Sequence, residues 1–432
     1  MLPVSSFHLQ SSFLENRYEK TTNNTEELIE HYLESFRQIK NEISSLEILK
    51  RQAMIVYMQN SQDLAEINNL YKQFMCDLKK DSSFTINQQK PISSLGEQID
   101  NNLDISTSIM KPIDIQWTVE YPNKNNEGFL SLRCYVKTGS VICAIAYDPS
   151  GTLFAFANTR TLFVVSSSTI QTHCAIDYPT GPIKNDIHVR VLKFSPDGNF
   201  IAIALPSYKI GIFSLSMKSF IQLLDAHSKT ITSLCFLKSQ HLLVSGGRDG
   251  LVCIWDINNG MCIKSIKPKS DFQNNLDDGI VSISTSFNYS YIIVCHLSGS
   301  VDVYDSNLEQ TLFSFIAHKN TILSCSTSPT DNVFVTTSHE RITKLWRNST
   351  LVSSNNDHID SVICSSFSYD GRIVFTGSKD ESIIGFESTT GQTIFKAKVH
   401  TNTVLGIEHN PRFQNFLSCS GDGLVCVWDY KS

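Results

Sequence analysis

Ser245-Gly246-Gly247-Arg248-Asp249-Gly250-Leu251-Val252-Cys253-Ile254-Trp255-Asp256 is the stretch on which the fold turns. Counting back from Trp255, an acid lies six residues earlier at Asp249, a hydroxyl ten earlier at Ser245 and an imidazole 28 earlier at His227. The same offsets recur at His318, Thr336, Glu340 and Trp346, at His358, Thr376, Asp380 and Phe386, and at His400, Ser418, Asp422 and Trp428. Through weaker copies the last aromatic position falls at Val164, Phe213, Trp255, Tyr304, Trp346, Phe386 and Trp428, with spacings of 49, 42, 49, 42, 40 and 42 residues. Periods of that size mark a repeat architecture, in which each unit buries its apolar faces against its neighbours.

The pattern resembles the WD repeat, one blade of a β-propeller. The resemblance implies that the indole N–H donates to the Ser or Thr hydroxyl, the hydroxyl to the His, and the His to the Asp, each group being used once. The expected fold is all-β, a seven-bladed WD-repeat β-propeller over residues 113–432, preceded by an N-terminal α-helical coiled coil. Turn signals such as Asp148-Pro149-Ser150-Gly151 and Ser195-Pro196-Asp197-Gly198 separate short apolar runs within the units. Longer loops at 178–187 and 267–278 account for the two 49-residue spacings. Units one, two and four lack most of the tetrad: Lys137, Asn185 and Leu276 stand near the His place, and Asn158, Ser207 and Ser298 in the Asp place. Those units are expected to be held by apolar packing alone. One of two N-terminal runs, Ile113–Tyr121 or more readily Phe129–Val136, is expected to supply the outer strand of the last blade and close the ring.

Ahead of the repeats, residues 1–23 are polar and read as disordered. A capping box at Asn24 and Glu27 starts a helix. Its apolar residues then step by threes and fours through Ile29, Tyr32, Phe36, Ile39, Ile43, Leu46, Ala53, Tyr57, Leu64, Ile67, Tyr71, Phe74 and Leu78, broken at Lys50 and Asn60. A helix of about seven heptads with no core of its own must pair, so residues 24–80 read as a coiled coil that oligomerises the chain. Residues 81–112 form a short linker.

The totals exclude several classes. Net charge is −6, and neither the N-terminal part nor the remainder is basic, which argues against direct binding to nucleic acid. No apolar run approaches the roughly 18 residues of a membrane span, and no signal peptide is recognisable, so a soluble intracellular protein is expected. The 12 cysteines are scattered singly and read as buried thiols. Recurring Ser, His and Asp invite a hydrolase reading. A nucleophile is needed once, at a pocket, whereas this trio repeats at a structural offset, so no enzyme, cofactor or metal is expected. His188, His296 and His339 read as exposed loop residues.

A coiled coil, a linker and a seven-bladed propeller together resemble the Tup/Groucho-type transcriptional corepressors, closest to the fungal Tup type. Val141–Gly151 followed by Ala157-Asn158, Asp186–Ala202 and Asp278–Ile283 resemble blades one, two and four of that family, and Thr376–Asp380 and Ser420–Asp422 its last two. The resemblance implies a nuclear scaffold whose propeller face binds DNA-bound repressors and whose coiled coil associates with itself and with a tetratricopeptide-repeat subunit. That face would include Ala157, His188, Val191, Pro206, Thr232, Arg248, Leu297, His339, Lys379, Asn402 and Gly421. Contact with histone tails is left open, because the family's long segment between coil and propeller is short here. The alternative is a cytoplasmic WD-repeat adaptor.

Overall fold

A computed structural model describes residues 115–126, 128–178, 188–225, 227–237, 241–268 and 279–431. The expected disordered stretch 1–23, the coiled coil 24–80 with its seam from Ile29 to Leu78, and the linker 81–112 lie outside the described residues, as do Asn185 and Leu276.

The runs of β-branched and aromatic residues form strands, and the strands group into seven antiparallel sheets. Inner and outer strands are Ala144–Tyr147 and Thr172–Asp177 in blade 1, Leu192–Phe194 and Ser219–Leu224 in blade 2, and Ile231–Phe236 and Met261–Ile266 in blade 3. They are Ile280–Thr285 and Thr311–Ile316 in blade 4, Ile322–Thr327 and Thr350–Asn355 in blade 5, and Val362–Phe367 and Thr393–Lys398 in blade 6. Blade 7 takes Val404–His409, Asn415–Ser420 and Leu424–Tyr430 from the C-terminal end and its outer strand, Leu130–Lys137, from the N-terminal end, with Leu132 opposite Trp428. This is the strand expected over Phe129–Val136. The earlier run also forms a strand, Thr118–Glu120, which adds a fifth strand to blade 6 with Glu120 opposite Lys396.

Successive side chains in a strand point to opposite faces, so each blade shares one core with the blade before it and another with the blade after. Between blades 7 and 1 the shared core holds Val136, Phe154, Phe156, Leu417 and Val425; between blades 6 and 7 it holds Phe375, Phe395, Phe416 and Trp428. Burying one side chain of this size contributes about 1.5–3 kcal/mol, and the seams together dominate stability.

In blades 2 to 7 the turn between the second and third strands places one residue in the left-handed region. Glycine fills it at Gly250, Gly299 and Gly423, whereas Arg341 (φ 67°) and Glu381 (φ 69°) fill it in blades 5 and 6. A residue with a Cβ costs about 1 kcal/mol or more there.

Candidate functional site

Each of the four tetrads joins two loops on the same face of the ring. The His precedes the inner strand, the acid sits in the second turn, and the hydroxyl and aromatic residues come from the second and third strands. In blade 3, Trp255 Nε1 donates to Ser245 Oγ at 2.8 Å, His227 Nε2 lies 2.7 Å from that oxygen, and His227 Nδ1 lies 3.1 Å from Asp249 Oδ1. Blade 7 repeats this with Trp428 to Ser418 at 2.9 Å, Ser418 to His400 at 2.8 Å and His400 to Asp422 at 3.1 Å. Blade 5 does so with Trp346, Thr336, His318 and Glu340. In blade 6 Phe386 has no N–H to give; Thr376 Oγ1 lies 3.0 Å from His358 Nε2 and 3.2 Å from the Ile384 carbonyl oxygen, and His358 Nδ1 lies 3.1 Å from Asp380.

Burial raises the tetrad carboxyls, but hydrogen bonds from the histidines and the backbone outweigh it, so Asp249, Asp380 and Asp422 lie below the ordinary aspartate value. Burial also lowers His318, while Glu340 is held ionised. A neutral His donating from Nδ1 to a carboxylate fits both shifts. Ser245, Thr336, Thr376 and Ser418 are 0% exposed, so no substrate reaches these hydroxyls. The trio recurs here as a fastening between strands and loops.

Blade 4 departs from the expectation of apolar packing alone. His296, read as an exposed loop residue, is 2% exposed, and its Nε2 lies 2.8 Å from the buried Asp302 carboxylate. It occupies the strand position of Gly247, where a Cβ in blade 3 would lie 2.8 Å from His227 Nδ1. The sequence of blade 4's entry loop holds no His, and this blade carries its buried imidazole on the strand instead. Asp302 stands where blade 3 has Cys253. His296 Nδ1 and Asp302 Oδ1 have no hydrogen-bond partner among the described residues. The offset pattern missed this pair; the one signal was an acid inside the apolar run Val301-Asp302-Val303.

The residues proposed for the docking face lie in these turns and entry loops, except Ala157 and Thr232, which lie at the ends of the adjoining strands. Arg248, His339, Lys379 and Asn402 are exposed, and His188, Val191, Pro206, Thr232, Leu297 and Gly421 are partly buried. Ala157 is 1% exposed and packs between blades 1 and 2, so it adds no surface to the face. Neighbours meet in pairs around the ring. A Cβ on Gly279 would lie 2.8 Å from Leu297 and 3.3 Å from Arg248, and one on Gly421 would lie 3.0 Å from Asn402. Thr232 Oγ1 donates to Ile280 O at 2.7 Å across the joint of blades 3 and 4. The face carries further exposed cations that the offsets did not single out: Arg160, Arg190, Lys229, Lys319 and Arg341. At its centre a cavity of about 480 Å³ runs between the inner strands of all seven blades. There Lys193 Nζ donates to both carboxylate oxygens of Glu408 at 2.9 Å, reaching from blade 2 to blade 7 past blade 1.

Residues 218–256, 309–347, 349–384 and 391–429, which cover the four tetrads except Phe386, match the family described as WD domain, G-beta repeat. The ring is a seven-bladed WD-repeat propeller. The chain is similar to Nuclear distribution protein nudF of Emericella nidulans, 25% identical over 48% of this chain and 41% of that protein. It is similar to the U3 small nucleolar RNA-associated protein 15 homolog of Xenopus laevis, 23% identical over 51% of this chain and 42% of that protein. The chain thus spans less than half the length of these two relatives. Autophagy-related protein 16 of Arabidopsis thaliana is 21% identical over 96% of this chain and 78% of that protein. WD-repeat propellers of this kind are typically scaffolds, and the names of these relatives point to three different settings: nuclear distribution, a small nucleolar RNA and autophagy.

Proposed function

We propose that this chain is a non-enzymatic docking scaffold. Its propeller binds partner segments on the face that carries the tetrad turns, and its heptad segment, residues 24–80, brings copies together. One observation carries the reading. Every tetrad hydroxyl and carboxylate is engaged inside the fold, while the residues those tetrads hold in place turn outward. Several weak faces tethered together bind at high effective concentration, which is how such a scaffold gains avidity. The test is affinity purification with the intact chain and with an Arg248→Glu Lys379→Glu variant. Loss of specific partners without loss of folding supports the face; an unchanged partner set sinks it.

Two finer assignments separate by location. The motif resemblances in blades one, two and four support a nuclear corepressor recruited by DNA-bound repressors and joined by a tetratricopeptide-repeat subunit. The alignment to Autophagy-related protein 16 extends over 96% of the chain, heptads included, and favours the cytoplasmic alternative, here an autophagy-related scaffold. Imaging a tagged intact chain separates them. Nuclear accumulation with a tetratricopeptide-repeat partner supports the first, and cytoplasmic residence with enrichment on autophagic membranes supports the second.

A further inference from the structure

Between blades 5 and 6 the docking face gathers His339 and Arg341 from one turn, Ile359 and Asp360 from the next entry loop, and Lys379 from the turn after it. His339 Nδ1 lies 2.8 Å from Ser361 Oγ, and Lys379 Nζ lies 3.9 Å from Asp360 Oδ2. The Asp360 carboxyl is held below its usual range first by the Ser361 backbone N–H and then by the charges of Lys379 and Arg341.

Three observations set this sector apart. Ile359 is 69% exposed, more than any other large apolar side chain among the described residues. It occupies the position after the tetrad His, where the sibling blades have Ser228, Lys319 and Thr401. Its backbone N–H serves the fold by donating to Asp380, while its side chain buries little and does no comparable work. Second, Arg341 holds the left-handed turn position that blades 3, 4 and 7 give to glycine, so a long cationic side chain is kept on the face against a conformational cost. Third, the sector's charges are sorted by depth, with Asp360, whose side chain is 42% exposed, as the exception. Glu340 and Asp380 are bonded to His318 and His358 with side chains 18% and 2% exposed, whereas Lys319, His339, Arg341 and Lys379 stand outward. The ring carries acidic net charge, yet this surface offers cations around one apolar side chain.

Resting on the docking-face reading, we infer that this sector binds a short acidic segment of a partner protein that carries one bulky apolar side chain. The apolar group covers Ile359, and flanking carboxylates reach Lys379 and Arg341. The Lys379–Asp360 contact is long and solvent-exposed, so a partner carboxylate exchanges with it at little cost.

The test uses the intact chain and a fluorescein-labelled peptide with one phenylalanine flanked by glutamates, read by anisotropy. The controls are the same peptide with lysines for glutamates and a labelled single-stranded oligonucleotide. The glutamate peptide is expected to bind, to lose about tenfold or more in affinity with Arg341→Glu Lys379→Glu, to lose severalfold with Ile359→Ser, and to weaken with salt. Phe413→Ser, on the opposite face, is expected to leave binding unchanged. Equal binding of both peptides, binding of neither, or tighter binding of the oligonucleotide overturns the inference. Loss with Arg248→Glu but not with Arg341→Glu Lys379→Glu overturns this sector and leaves the docking face standing. Loss with Phe413→Ser alone removes both.

Discussion

Asp422 accepts from His400, from the Thr401 N–H at 3.0 Å and from the Leu424 N–H at 2.9 Å, and its carboxylate leaves water to do so. Removing the imidazole strands that charge, so His400→Ala is expected to cost about 3 kcal/mol, measured by chemical denaturation. The sign of the pH dependence follows from the lowered Asp422 value. A carboxyl below its unfolded value of about 3.9 stabilises the fold fully above that pH and loses the contribution as pH falls through the folded value. Asp422→Asn is therefore expected to lower Tm clearly at neutral pH, with the gap closing below about pH 4; a gap that persists in acid would place the effect elsewhere. The tetrads were legible because their spacing is fixed by the blade. His296 and Asp302 were not, since pattern alone assigns a strand interior to apolar groups. The sibling blades provide their test. Asp302→Ala alone leaves His296 buried without its partner and is expected to cost about 3 kcal/mol. The double change His296→Leu Asp302→Cys, which keeps the space filled with apolar groups and takes its Cys from the equivalent place in blade 3, is expected to be near neutral by the same denaturation measurement.

The outer strands show what covering an edge requires. In blade 6, Thr118–Glu120 pairs along Thr393–Lys398, and Trp117 meets Trp428 edge-on at 5.9 Å. Among the described residues the outer strands of blades 2 to 5 have no such cover and expose Ile221, Leu223, Met261, Ile263, Leu312, Ile316, Leu351 and Val352. Open edges with apolar side chains template association with other strands. Ile316→Lys is expected to leave the unfolding free energy within about 0.5 kcal/mol of the wild type while reducing light scattering at high protein concentration. Trp117→Ala is expected to cost about 2 kcal/mol, because half of its ring packs on the seam of blades 6 and 7. The alternation of Ile115, Trp117, Val119 and Tyr121 foretold a strand, and the turn chemistry foretold most hairpins. That this strand would be fifth in its sheet was not readable. A three-residue strand is short enough to dock on any bare edge, and the Glu120–Lys396 register that selects blade 6 is a property of the assembled ring.

Closure makes the seven blades one cooperative body. Leu130–Lys137 ties the N-terminal end of the ring to its C-terminal end through blade 7, and Lys193–Glu408 spans blades 2 and 7 across the cavity. The polar link is partly exposed, so a double-mutant cycle of Lys193→Met and Glu408→Gln is expected to give a coupling of about 1 kcal/mol that shrinks with salt. The strand contributes far more. Deleting residues 115–137 removes Leu130, Leu132 and Tyr135 from the core of blades 6 and 7 and Val136 from that of blades 7 and 1. It also bares the edge of Leu424–Tyr430, a seven-residue strand buried almost throughout. Three aliphatic groups and a tyrosine at about 1.5–3 kcal/mol each come to about 6–12 kcal/mol, comparable with the usual 5–15 kcal/mol net stability. The shortened chain is expected to lose its single cooperative thermal transition and to be cut rapidly within blades 7 and 1 under limited proteolysis. A soluble product with the parental Tm would mean that the ring is held shut without its N-terminal strand, and the reading of a closed, cooperative docking disc would fail with it.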